Sequence, residues 1–183
     1  MLAAGHRTTD NDGMALRILG LDPGLQTTGY AVVEDRNGRL DLVQAGEIIT
    51  DRSEPLEDRL RFIFAKLSEV VSEFKPAVAT VEDLYSQYRH PRTAILMGHA
   101  RGVLFVVLSN HGVPVVSYSP ARIKKAVTGN GQASKRQVHR AIEEQLALRG
   151  IDSDHVNDAL AAAACYVRET AALSPPRRRR ARR

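Results

Sequence analysis

Two short apolar runs each end on a carboxylate. LRILGLD (16–22) ends on Asp22, and VATVED (78–83) carries Glu82 beside Asp83. His155 and Asp158 stand three residues apart in HVNDALAAA, a segment of helical character, so they project from one helix face. Carboxylates at the ends of neighbouring strands converge on one edge of a sheet, and a helix laid across that edge adds more ligands. A hard divalent cation takes such a cluster of oxygens. Two such ions can stabilise the attacking and leaving oxygens of phosphodiester hydrolysis. Taken singly, each residue has an ordinary reading. Asp22 can simply open a turn, and Glu82 can be a strand-end charge. Asp152 or Asp154 can cap a helix, and Asp158 can be a partly exposed helix residue. The constellation is more specific than its members, because an apolar strand delivers a carboxylate to its end twice.

The elements that must position these residues follow from periodicity. LRILGLD reads as a buried strand closed by the turn Asp22-Pro23-Gly24. TTGYAVVE (27–34) and LDLVQAGEIIT (40–50) are further strands, joined around Arg36-Asn37-Gly38-Arg39, which makes an antiparallel meander. From Pro55 to Phe74 the apolar residues fall at helical spacing on one face, with Pro55 suited to the first turn. VATVED is a strand. From about Arg92 to Asn110 the chain is apolar nearly all round, which predicts a buried helix and a contribution to a dimer interface. VPVVSYS (113–119) is a strand, and a short helix begins near Pro120. Ser134-Lys135-Arg136-Gln137 has capping-box spacing, so a helix starts there and runs to Gly150. A last helix begins near Asp152–Asp154, and its alanines let it lie close on a sheet. The pattern β-β-β-α-β-α-β-α-α implies an α/β domain, a mixed five-stranded sheet flanked by helices. Residues 1–14 read as a disordered leader, 15–173 as the domain, and 174–183 as a disordered arginine-rich tail.

Composition narrows the function. A chain of 183 residues with 43% apolar and 26% charged residues supports one domain with a core. The single cysteine, Cys165, excludes an intramolecular disulfide framework and fits a reducing, cytoplasmic setting. Large apolar side chains run unbroken only from Val103 to Leu108, whereas a membrane span needs about 20 residues. The net charge of +5 conceals a segregation. Residues 1–83 carry 9 Lys/Arg against 15 Asp/Glu, while Leu84 to Ile142 carry 9 Lys/Arg and no acid. Residues 143–176 are acidic again, and Arg177 to Arg183 add 6 arginines. The acid-free block suits a polyanion, nucleic acid first among them.

The runs LRILGLDPGLQTTGYAVVE, VEDLY, ILMGHARGV, IKKAVTGNGQASKRQV and HVNDALAAA together resemble the RuvC-type Holliday-junction resolvases of bacteria. The resemblance spans about residues 16–170. It implies a ribonuclease-H-like fold, a homodimer, and divalent-metal-dependent cleavage of four-way DNA junctions by two symmetric nicks in recombination and repair. It also implies work alongside the RuvA junction-binding protein and the RuvB branch-migration motor. The family's metal-binding and catalytic quartet falls on Asp22, Glu82, His155 and Asp158. His155 stands where the family often has aspartate. The aromatic at the junction crossover falls on Tyr85, and the DNA-contacting lysines fall on Lys124 and Lys135, both in the acid-free block.

The resemblance implies two ions per site, Mg2+ or Mn2+. Mn2+ is expected to be preferred, because it accepts imidazole more readily than Mg2+ does. His155 reads either as a ligand or as a general acid or base. Two other classes share features with the chain. LGLDPGLQTTGYA also looks like the first phosphate loop of actin-like and sugar-kinase-like ATP-binding proteins, but those need two such domains. A junction-binding module without catalysis would not need the acidic quartet.

Overall fold

Apolar residues on both faces of LRILGLD place it at the centre of a sheet as β1 (Leu16–Asp22). In this computed structural model, residues 15–36, 39–83, 91–147 and 150–173 are described. β2 (Thr27–Arg36) and β3 (Arg39–Ile49) complete the antiparallel meander. Val43 bulges out of the β2–β3 pairing and is exposed, since Val32 pairs with Gln44 and Val33 with Leu42. β4 (Val78–Glu82) and β5 (Val115–Tyr118) add in parallel, giving the order β3-β2-β1-β4-β5. The expected mixed five-stranded sheet is thus formed.

Helices cover both faces. α1 (Leu56–Phe74) and α2 (Pro91–Asn110) pack on one through Ile63, Leu67, Leu104 and Leu108. α3 (Pro120–Thr128), α4 (Lys135–Leu146) and α5 (Asp154–Leu173) pack on the other through Ile123, Ile142 and Leu160. Three helices therefore follow β5, at the three segments read as helical from the sequence. Burial of a whole sheet between two helical layers is the main stabilising term, at about 25 cal/mol per Å2 of apolar area removed from water.

Strand alternation decides what each face receives. In β1, Ile18 faces α5, and Leu19 and Leu21 face α1 and α2. In β4, Val78 faces the α5 side, while Ala79 and Val81 face the other. Asp22 and Glu82 share the parity of Ile18 and Val78, so both turn toward α5. The alanine-rich stretch Ala159–Ala164, broken only by Leu160, is buried against the sheet. α5 lies so close that a Cβ on Gly20 would collide with the carbonyl oxygen of Ala159, and one on Gly29 with that of His155.

Three expectations are corrected. Pro55 is the N-cap of α1, not a first-turn residue. α4 ends at Leu146, short of Gly150, because Ala147 turns left-handed and donates its N–H to the Glu143 carbonyl. α2 is not buried all round: Ala100, Leu104, Val107 and Leu108 enter the core, but Ile95 is 61% and Val106 52% exposed. Its segment Thr93–Asn110 has a mean hydropathy of 1.3, long and apolar enough to span a membrane by length and composition alone. A helix apolar on two sides with one side in the core has a second side open to a partner. On the outer side of α1, Tyr30, Glu47, Ile49, Phe62, Glu69 and Glu73 line a groove of about 440 Å3 against β3.

Candidate active site

The parallel register pairs Leu21 with Val81, so the next residues along, Asp22 and Glu82, emerge side by side at the sheet edge. α5 crosses this edge with its first turns. The Ser153 hydroxyl accepts from the Val156 N–H and donates to Glu47, fixing where α5 starts. His155 then meets Asp22, with Nδ1 2.7 Å from Oδ2. One turn on, Asp158 meets Lys135, whose Nζ is 3.0 Å from Oδ2. The structure therefore brings Asp22, Glu82, His155 and Asp158 to one place from three separate elements.

Lys135 owes its position to the capping box. The Ser134 side chain accepts from the Gln137 N–H, and the Gln137 side chain accepts from the Ser134 N–H, so α4 begins at Lys135. Lys124 comes from α3. Glu82, Lys124, Lys135 and Asp158 line a cavity of about 220 Å3, floored by Ile123, Val138 and Ala161. Tyr85 lies outside the described residues, as do the leader and the arginine tail.

The carboxylates perturb one another. Burial pushes Glu82 up to about 7, and the charges of Asp22 and Asp158 push the same way against the pull of Lys124 and Lys135. Burial also raises Asp22 above its ordinary value; the His155 bond opposes this and the Asp158 charge adds to it. Lys135 is lowered by burial, but its bonds to Asp158 and Asp154 outweigh this and hold it above its usual value. Three mutually repelling carboxylates at a partly desolvated edge favour a cation in their midst.

Sequence reading missed three neighbours. Asp154, weighed only as a helix cap, pairs with Lys135 at 3.1 Å and lies 3.7 Å from His139 Nδ1. His139 Nε2 lies 3.6 Å from Asp158 and is buried without a hydrogen bond. The i, i+4 spacing of Lys135 and His139 on α4 was the available signal, since it sets both on one face. Arg101, inside the run ILMGHARGV, bonds Asp83 at 2.8 Å directly behind Glu82.

Among the described residues, no three His, Cys, Asp or Glu side chains form a ready cation cage. Asp22 is turned to His155 and Asp158 to Lys135. The donor set itself suits a divalent cation: three carboxylates within Coulombic reach and one imidazole. Asp22, Glu82, Asp158 and His155 would hold it.

Comparison with known proteins agrees in family and fold. The family model described as crossover junction endodeoxyribonuclease RuvC matches residues 18–166. A crossover junction endodeoxyribonuclease RuvC of Rhodopirellula baltica is 48% identical over 158 residues, covering 86% of this chain and 89% of that protein. Its counterpart in Halorhodospira halophila is 40% identical, with 85% and 92% covered. The structure of Thermus thermophilus RuvC in complex with Holliday junction substrate superposes with a TM-score of 0.80 at 31% identity, covering 85% of this chain and 97% of that one.

Proposed function

The chain belongs to the RuvC family of crossover junction endodeoxyribonucleases, and from that membership we propose that it resolves four-way DNA junctions by paired symmetric nicks. The observation that carries the reading is the meeting of Asp22, Glu82 and Asp158 at one sheet edge beside Lys124 and Lys135. A DNA strand laid along that edge sets its phosphates against the lysines and its scissile bond over the carboxylates. A divalent cation bound there supplies positive charge to the phosphate and lowers the pKa of an attacking water.

The chain's own residues do the rest. Lys124 and Lys135 bind phosphate oxygens and offset the charge that grows on them during in-line attack. Lys135 leaves Asp158 to do so, and Asp154 keeps its ammonium at the rim. Asp22 holds the His155 ring through Nδ1, leaving Nε2 free to face a ligand. His155 acts as a ligand in this reading, and manganese is favoured over magnesium. Tyr85 stacks on bases unstacked at the crossover. Two copies associate through the open side of α2, where Ile95 and Val106 are exposed, and so present two sites to a nearly symmetric junction. RuvA and RuvB are its partners in this proposal.

The test is incubation with a labelled four-way junction and a duplex control, with magnesium and manganese in turn. Symmetric nicks in the junction alone are expected. Asp22→Asn should abolish them while junction affinity stays nearly intact, since binding rests on phosphate contacts made elsewhere. Equal cutting of both substrates would identify a general nuclease. Parallel loss of binding and cleavage in Asp22→Asn would move Asp22 out of the metal site.

A further inference from the structure

Arg101 sits mid-way along α2, with its side chain only 20% exposed. Its guanidinium lies over the Phe105 ring, 4.5 Å from the centroid. One terminal nitrogen, Nη2, donates to Asp83 Oδ1 at 2.8 Å and to Ser117 Oγ at 2.9 Å. Its Nε is buried with no hydrogen-bond partner. Strand alternation explains the meeting. Glu82 turns to the α5 side, so Asp83 turns to the α2 side. Ser117 pairs in register with Val81, whose side chain faces α2. The Asp83 N–H also donates to the Tyr118 carbonyl, so both the backbone and the side chain of this residue are held.

This arrangement is costly as a stability device. A largely buried guanidinium with an unpaired Nε and a carboxylate partner that is 45% exposed gains little over an apolar side chain of the same volume. What the arginine adds is geometry, because one terminal nitrogen donating to the ends of two strands from a third element fixes those ends relative to one another. The strand end it fixes is the one that carries Glu82, and Glu82 is where neighbouring carboxylates would otherwise push the chain apart. We propose that Arg101, acting through Asp83 and Ser117, is a positioning residue that holds the end of β4 so that Glu82 stays aimed at Asp22 and Asp158. The clamp rests on the reading of Glu82 as a catalytic ligand. It also makes the aim of Glu82 depend on the seat of α2, the helix whose other side is open to a second copy.

The test compares Arg101→Met, Arg101→Lys, Asp83→Ala, the Arg101→Met/Asp83→Ala double variant and Glu82→Gln, all in the full-length protein. Single-turnover junction cleavage should fall by about 10–100-fold in Arg101→Met and in Asp83→Ala, the range typical of groups that orient ligands. Junction affinity without divalent metal should stay within about twofold, because no phosphate contact is lost. The double variant should be no worse than the weaker single variant, since both changes open one clamp. Arg101→Lys keeps the ion pair and should recover part of the rate. Manganese affinity, read from the free-ion paramagnetic resonance signal without DNA, should weaken about tenfold in both single variants. Asp83→Ala changes a half-exposed side chain and carries the test if Arg101→Met fails to fold. Lower Tm with unchanged rate and unchanged manganese affinity would overturn the proposal and leave a structural brace. If Glu82→Gln still cleaves, the reading of Glu82 fails and takes the clamp's purpose with it. An inactive Glu82→Gln beside fully active Arg101 and Asp83 variants refutes the clamp alone.

Discussion

In the proposed site, His155 is the residue at which the chemistry would depart from an all-carboxylate ligand set. Magnesium is hard and favours oxygen, and exchanging a carboxylate for a neutral imidazole removes negative charge that magnesium needs most. Cleavage should therefore be faster with manganese than with magnesium, and His155→Asp should shift the preference toward magnesium. Rates with both metals, measured for both proteins, check this. A loss with both metals in His155→Asp would assign the imidazole to proton transfer. Glu82 sets a second expectation. Its carboxyl is raised from 4.5 to about 7, chiefly by burial. Between those values the folded chain holds a proton that the unfolded chain has released, so the stability from this group is full below 4.5 and is lost as pH rises through 7. The Tm of the metal-free protein should fall from about pH 5 to about pH 7.5 relative to Glu82→Gln, and divalent metal should lessen the fall. Parallel curves for the two proteins would contradict it. Asp22, Glu82, His155 and Asp158 were legible because strand ends and i, i+3 spacing are local properties. Asp154, His139 and Arg101 were not, because each gains its meaning from a residue on another element.

At the scale of elements, α5 and β1 are joined more closely than ordinary side chains allow. A Cβ at position 20 would meet the Ala159 carbonyl, which is backbone and cannot turn aside. Gly20→Ala should cost roughly 1–3 kcal/mol in chemical denaturation and lower the cleavage rate as well, since the displaced helix carries His155 and Asp158. Wild-type stability in this variant would show that α5 has room to move. The alanine run announced close packing in the sequence, but its partner glycine could not be named from spacing alone. α2 shows the opposite limit. Apolar residues on every side predicted burial on every side, and the single chain buries only one. Composition reports how much apolar surface a helix has, not which molecule covers it. The early end of α4 was equally hidden, because an alanine rather than a glycine takes the left-handed turn.

Across the whole molecule, the two hollows differ in charge balance. Glu47, Glu69 and Glu73 outnumber Lys66 in the groove on the α1 side, whereas Lys124 and Lys135 balance Glu82 and Asp158 in the cavity on the α3–α4 side. The six arginines of 177–183 lie outside the described residues, and their effect can be weighed by removal. Deleting Arg177–Arg183 should weaken binding to junction and duplex alike and flatten the salt dependence of both, because such arginines neutralise phosphates without reading shape. Binding measured across a salt series checks this, and a change in junction-versus-duplex preference would give the tail a structural role. The unequal balance has a kinetic consequence. A body more acidic on one side than on the other carries a dipole, and the field of a polyanion exerts a torque on it at a distance. On approach to DNA such a dipole would turn the glutamate groove away from the phosphates, so that collisions beginning in the wrong orientation are corrected before contact. Added salt shortens the range of that torque and slows encounter more than it hastens escape.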